Sequence, residues 1–159
     1  MAHEIERKFL IVPGAWRPDP ARGMAVRQGY LSHDPARTVR VRVTGTQGFI
    51  TIKGITRGIS RLEFEYPIPV TDAEALLAKL CIRPLIEKRR YRELYGGWTW
   101  EIDVFEGENA GLIVAEVELP TELTTVTLPS WVGREVSDDP RYFNSNLARH
   151  PYSLWGSDA

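Results

Sequence analysis

Charged residues in this chain recur at alternate positions inside short apolar stretches. In an extended strand that spacing puts them on one face. Glu4, Glu6 and Lys8 stand two apart near the start. Arg40 and Arg42 follow, with Lys53 in the next stretch, then Arg61, Glu63 and Glu65. Lys88 and Arg90, Glu101 and Asp103, and Glu116 and Glu118 complete the set. Carboxylate pairs of this kind suit hard divalent cations, because Mg2+ and Mn2+ take oxygen ligands. Clustered Arg and Lys suit phosphate oxygens, which a guanidinium grips with two parallel donors. Acidic pairs on some stretches and basic pairs on others describe a site for a metal-bound, highly anionic, linear ligand. A metal-chelated polyphosphate fits it better than a nucleic acid, whose groove would rarely hold so many carboxylates.

The elements that must position these side chains read as strands. Period-2 alternation predicts strands over 2–11, 25–31, 38–44, 48–53, 60–68, 85–95, 98–105 and 112–119. Gly45 to Gly48 and the Gly96-Gly97 pair read as hairpin turns. Between the fifth and sixth strands the period changes, and 71–80 reads as a helix. Thr71 and Glu74 there form a capping box, and Ala73, Leu76, Leu77 and Leu80 share one face. Asp138-Asp139-Pro140 predicts the start of a second helix over 140–148. The fold class is therefore α+β and mainly β: an eight-stranded antiparallel barrel with one mid-chain and one C-terminal helix, in a single domain over 1–159. Closing the barrel removes the exposed sheet edges.

Composition narrows the partners. The 159 residues carry 20 Lys and Arg against 21 Asp and Glu, for a net charge of −1, so the basic excess of a nucleic-acid binder is absent. No apolar run approaches a membrane span. Cys81 is the single cysteine, and the start, MAHEIERKFL, lacks the basic-then-apolar pattern of a signal peptide. A cytoplasmic protein with no nucleic-acid or membrane partner is expected.

Parity says which residues share a face, but not which face points inward. In the ordinary amphipathic sheet, Ile5, Val41, Ile52, Leu62, Phe64, Ile102 and Val117 would face the core and the charges would face water. In a wide barrel the charges can line the interior instead. They must then pair or hold a ligand. The outer apolar face then needs helices or a partner subunit over it, and a homodimer would supply one.

The order of motifs carries a resemblance. Glu4-Ile5-Glu6-Arg7-Lys8 reads E-x-E-x-K, followed by QGYLS (28–32), TVRVRV (38–43), FITIKG (49–54), SRLEFEYPIP (60–69), IEKRRY (86–91), WEIDVF (100–105), VAEVEL (114–119) and DPRYFNSNLA in the tail. This series resembles the CYTH superfamily, the triphosphate tunnel metalloenzymes, and is most similar to short bacterial inorganic triphosphatases. The resemblance implies an eight-stranded tunnel with the charges inside. It implies that Glu4, Glu6, Glu116 and Glu118, assisted by Glu63, hold the metal. It further implies that Arg40, Arg42, Lys53, Arg61, Lys88 and Arg90 grip phosphates. Lys8, with Tyr30 of QGYLS, matches the residues that position the attacking water, and Glu101 and Asp103 match further tunnel positions.

The activity so implied is metal-dependent hydrolysis of inorganic tripolyphosphate. Adenylyl cyclase of class IV type and thiamine triphosphatase keep the site and change the substrate, and a non-catalytic polyphosphate-binding module needs only the cations. Blander readings attach to several residues. Arg7 and Arg89 oppose the charged faces of their strands, and Glu65 reads equally as a surface carboxylate. His3, His33 and His150 lack partners at metal-ligand spacing, and the tryptophans read as packing.

Overall fold

The computed structural model describes residues 3–156. Nine strands form one antiparallel sheet: β1 (His3–Ile11), β2 (Met24–Asp34), β3 (Arg37–Thr44), β4 (Gln47–Gly54), β5 (Ser60–Ile68), β6 (Ile82–Tyr95), β7 (Trp98–Phe105), β8 (Ile113–Glu118) and β9 (Val132–Glu135). Neighbours run β5-β4-β3-β2-β6-β7-β8-β1, and β1 pairs back onto β5, so the first eight strands close into a barrel. The short β9 was not expected from the sequence. It takes over the edge of β1 where β5 leaves it, pairing Phe9 with Glu135 and Ile11 with Val132.

The hairpins follow their glycines. Gly96 and Gly97 adopt φ of 59° and 82°, the paired positive values that join β6 to β7 through two residues. Gly45 at φ 60° turns β3 into β4, and the turn is shorter than the expected Gly45–Gly48, since Gln47 already belongs to the strand.

Helix α1 (Val70–Lys79) starts a residue earlier than expected and has no capping box. Pro69 occupies the cap position, without a side-chain hydrogen bond, and Glu74 pairs instead with Arg27 of β2. A proline needs no N–H partner at a helix start, so the chain turns there and Thr71 falls inside the first turn. Ala73 and Leu77 pack on Val41 and Val43 of β3, whereas Leu80, just past the helix, is exposed.

The expected helix over 140–148 is broken. Pro140–Tyr142 form a 3-10 turn, whose N–H at Arg141 bonds the Asp139 carboxylate at 3.1 Å. Phe143 is extended, and α2 (Asn144–Arg149) follows. The break turns Phe143 and Asn144 toward the barrel interior.

The interior is graded along its axis. Toward the ends of β1, β2 and β7 and the starts of β6 and β8 it is apolar: Leu10, Tyr30, Ile86, Phe105 and Val114 pack against Tyr142, Leu147 and Ala148 of the C-terminal segment. The tail thus plugs one end, and the charged residues line the rest. Outside, Phe9, Trp100, Ile102, Ala115 and Val117 form a second core under Trp16 and Trp131. On the outer face of β4 and β5, Ile52, Leu62, Phe64 and Tyr66 keep 40–53% of their surface.

Candidate active site in the charged tunnel

The inward orientation is the one the chain adopts. Cross-strand register stacks the even-numbered charges of β1 on those of its neighbours: Glu6 opposes Glu118, Lys8 opposes Glu116, and Glu4 opposes Arg61. Farther round, Glu101 opposes Glu116, Arg90 opposes Asp103, and Lys53 opposes Glu63. A cavity of about 210 Å3 results, lined by eight cations and seven carboxylates. Of the residues singled out in the sequence, Glu4, Glu6, Lys8, Tyr30, Arg40, Arg42, Lys53, Arg61, Glu63, Lys88, Arg90, Glu101, Glu116 and Glu118 all border it. Asp103 does not. It is fully buried beneath Lys88 and Arg90, where it serves as their counter-ion.

The charges separate into walls. β1, β8 and β7 present Glu4, Glu6, Glu116, Glu118 and Glu101, while β3 and β6 present Arg40, Arg42, Lys88, Arg90 and Arg92. On the side between them, Lys53 bonds Glu4 at 2.9 Å and Glu63 at 3.2 Å, and Arg61 bonds Glu4 at 3.0 Å. Burial opposes the charge on Glu4, but Lys53, Glu63 and Arg61 outweigh it and hold the carboxyl well below the usual range.

Glu6 behaves oppositely. Burial, the neighbouring Glu116 carboxylate and then Glu4 push it well above the usual carboxylate range. Glu116 is also buried, yet Lys8, the hydrogen bond from Glu6 and Arg90 hold it low. Glu63 is raised to about 7 by burial, then by its contact with Glu4. Among the described residues no three metal-capable side chains converge at metal-holding spacing. Glu4 is turned to Lys53 and Arg61, and Glu116 has Arg90 at 3.8 Å. The donor set nevertheless suits a hard divalent cation. Two carboxyls pressed together inside the protein are a costly arrangement that such an ion relieves.

The basic wall is less occupied. Glu65 accepts from Arg42 at 3.1 Å and Arg40 at 3.4 Å, but the buried Nε–H groups of both arginines lack a protein acceptor among the described residues. Lys88 Nζ lies 2.8 Å from Asp103 and 3.0 Å from Asn144 Oδ1, and burial lowers it to about 8 against the pull of Asp103. Tyr30 is buried, which raises its phenol, and its hydroxyl contacts Arg40. The expected Lys8–Tyr30 pair is not formed directly: the Lys8 ammonium donates to the Tyr142 carbonyl at 3.3 Å.

Several lining residues escaped the sequence reading. Arg92 continues the Lys88, Arg90 parity and could have been found by it. Thr38 lines the tunnel as well, and Glu65, read from the sequence as a tunnel or a surface carboxylate alike, borders the cavity while staying exposed. Phe143, Asn144 and Ser145 enter from the tail, and no periodicity points to them. Arg7, by contrast, faces outward as expected and pairs with Glu135 at 2.8 Å.

A CYTH domain family model matches residues 2–152. A protein of Acetivibrio thermocellus named inorganic triphosphatase is 51% identical over 152 residues, covering 96% of this chain and 97% of that one. One of Nitrosomonas europaea with the same name is 40% identical over 151 residues, covering 91% and 96%. A crystal structure of an inorganic triphosphatase superposes with a TM-score of 0.64 at 38% identity, covering 91% of this chain and 97% of that chain. A Pyrococcus horikoshii structure at 19% identity and TM-score 0.52, covering 75% and 79%, shares the fold alone.

Proposed function

This chain belongs to the CYTH domain family, and from that premise we propose that it is a divalent-metal-dependent triphosphatase hydrolysing inorganic tripolyphosphate to pyrophosphate and phosphate. The observation that carries the reading is the tunnel itself. An acidic wall faces a basic wall across a cavity of about 210 Å3, and two buried guanidinium donors lack a protein acceptor. A polyanion along the basic wall gives Arg40 and Arg42, which share the one carboxylate of Glu65, phosphate oxygens to grip.

In this reading Arg40, Arg42, Lys53, Arg61, Lys88 and Arg90 bind the phosphate oxygens and stabilise charge on the transferring phosphoryl group. Glu4, Glu6, Glu116 and Glu118, with Glu63, hold Mg2+ or Mn2+, which when bound neutralises phosphate charge and helps activate water. Lys8 and Tyr30 orient the water from the closed end of the tunnel. The water oxygen bonds to a terminal phosphorus, the bridging P–O bond breaks, and the bridging oxygen leaves on pyrophosphate. Glu101 and Arg92 pair at 3.1 Å beside the cavity, and Asp103 fixes Lys88 and Arg90 from behind.

Class IV adenylyl cyclase and thiamine triphosphatase activities gain no support. Apart from the rings of Tyr30 and Phe143, the cavity wall is polar or charged, so it has little surface on which a base or thiazole could stack. A passive binding module would not need buried carboxylates beside its cations.

The test is phosphate release from tripolyphosphate, ATP and thiamine triphosphate with Mg2+ or Mn2+, for the wild type and Glu4→Gln. Preference for tripolyphosphate, lost in Glu4→Gln, supports the reading. Binding without turnover on every substrate sinks it. We further propose a homodimer through the outer face of β4 and β5 and a cytoplasmic location. No described helix is long and apolar enough to cross a membrane.

A further inference from the structure

Asn144 is the first residue of α2, and it brings an amide from the tail to the border of the charged cavity. Its Oδ1 accepts two hydrogen bonds, from Lys88 Nζ at 3.0 Å and from Gln28 Nε2 at 3.2 Å. These partners fix which way the amide is turned. An ammonium can only donate, so the atom that faces Lys88 is the oxygen. Gln28 makes the same choice from β2. It is fully buried, and it gives its Nε2 to Asn144 although its own Oε1 has no donor among the described residues. A buried acceptor without a donor is costly, and turning the Gln28 amide round would set its oxygen against Oδ1. With the oxygen held from two strands, the Asn144 nitrogen is the end left over. It has no acceptor among the described residues. Asn144 is only half-buried, so Nδ2 is not sealed away as Gln28 Oε1 is.

We propose that Asn144 is a substrate-binding residue of the tunnel, donating from Nδ2 to a phosphoryl oxygen of the polyphosphate beside Lys88. The proposal rests on the triphosphatase reading and adds to it a neutral donor supplied by the tail rather than by a strand. The chemistry suits the place. Arg40, Arg42, Lys53, Arg61, Lys88 and Arg90 each face a carboxylate already: Glu65 for the first two, Glu4 for the next two, Asp103 for the last two. A phosphate oxygen must share those cations with their counter-ions. The Asn144 N–H groups have no such competitor, since both bonds to this side chain engage its oxygen. An amide also carries no net charge, so it meets the phosphate without the cost of stripping water from an ion. Lys88 improves the donor further. By drawing on Oδ1 the ammonium polarises the amide, as one bond in a chain strengthens the next.

The experiment must separate a direct contact from support given to Lys88. Calorimetry in metal-free buffer reads Kd for tripolyphosphate in the wild type, Asn144→Ala, Lys88→Met and the double variant. Asn144→Ala is expected to raise Kd about tenfold, a change of about 1.4 kcal/mol. It should do so by a similar factor in the Lys88→Met background, where it cannot act through the ammonium. An effect that vanishes in that background overturns the proposal. A second readout uses the wild-type protein. The Asn144 side-chain amide peak in a nitrogen–proton correlation spectrum, assigned by its loss in Asn144→Asp, should move downfield when tripolyphosphate is added at constant ionic strength. A peak that stays in place overturns the proposal as well, and it decides alone should the Lys88 variants not fold. Absence of wild-type turnover with Mg2+ would instead sink the triphosphatase reading, and the amide peak would still read the donor.

Discussion

Arg90 and Asp103 face each other across β6 and β7 and join through two hydrogen bonds, Nε to Oδ1 at 2.7 Å and Nη2 to Oδ2 at 2.9 Å. Lys88 takes the same carboxylate at 2.8 Å. One buried acid therefore fixes two cations of the basic wall. Asp103→Asn leaves both undercompensated, and removing one partner of a buried pair costs about 3–5 kcal/mol. Urea unfolding should show a loss of that order, with a raised KM for tripolyphosphate. Burial opposes the charge on Asp103, but Lys88 and Arg90 hold its pKa below the ordinary value of 3.8. That stability is whole above 3.8 and drains as pH falls through the depressed folded value. The Asn variant should lack this part of the acid-unfolding limb. A variant as stable as wild type at neutral pH would refute the counter-ion role.

Glu6 and Glu116 give the second test. Because burial and Glu116 both disfavour a charge on Glu6, Glu6→Gln in metal-free buffer should be as stable as wild type or more so, while losing most of the rise in Tm that Mg2+ or Mn2+ produces. Differential scanning calorimetry with and without EDTA reads both effects. An undiminished metal response would remove Glu6 from the ligand set. Glu63 adds a pH signature. Its folded value of about 7 lies above 4.5, so its contribution in metal-free protein is full below 4.5 and lost as pH rises through about 7. The metal-induced gain should grow across that window, and Glu63→Gln should flatten the growth.

Lys88 predicts the alkaline side. Lowered by burial to about 8, it loses its charge above that pH. KM for tripolyphosphate should therefore climb as pH passes about 8. Folding stability should move the other way. Between about 8 and 10.5 the unfolded chain binds this proton and the folded protein does not, so the Lys88 contribution rises with pH. Lys88→Arg keeps its charge and should abolish the climb in KM. A wild-type KM that stays flat across this range would count against a phosphate contact at Lys88.

The outer face of β4 and β5 supplies a prediction away from the tunnel. Ile52 registers with Phe64, and Ile50 with Tyr66, in an apolar strip on which Ile52, Phe64 and Tyr66 stay exposed. Phe64→Glu should shift the proposed dimer to a monomer in sedimentation velocity and leave tripolyphosphate turnover within about twofold, as expected for a surface change far from the chemistry. A wild type that sediments as a monomer would dispose of the dimer.

Much of the tunnel was legible because strand parity is a rigid rule. Glu4, Glu6 and Lys8, or Arg61, Glu63 and Glu65, can only share a face. Which face pointed inward was not legible from parity. Alternation is symmetric, and the motif order had to break the tie. The tail was misread for a different reason. Asp139-Pro140 does start a turn, but the extended backbone at Phe143 is imposed by packing Tyr142 and Leu147 into the barrel end, and local sequence does not announce that. The capping box at Thr71 failed similarly, because Pro69 takes the cap position two residues sooner. Asp103 kept its expected parity but not its expected exposure. Lys88 and Arg90 are long enough to fold over it, which spacing along a strand does not encode.

The bond from Lys8 to the Tyr142 carbonyl joins residues 134 positions apart. During synthesis the first strand is made early, and its lysine must wait for almost the whole chain before it meets this partner. The barrel closes through that same strand, on β5. Every charged wall residue, from Glu4 to Glu118, precedes the tail in the chain. A product cut short before Tyr142 would carry the whole charged lining and lack the stopper that makes a vessel of it.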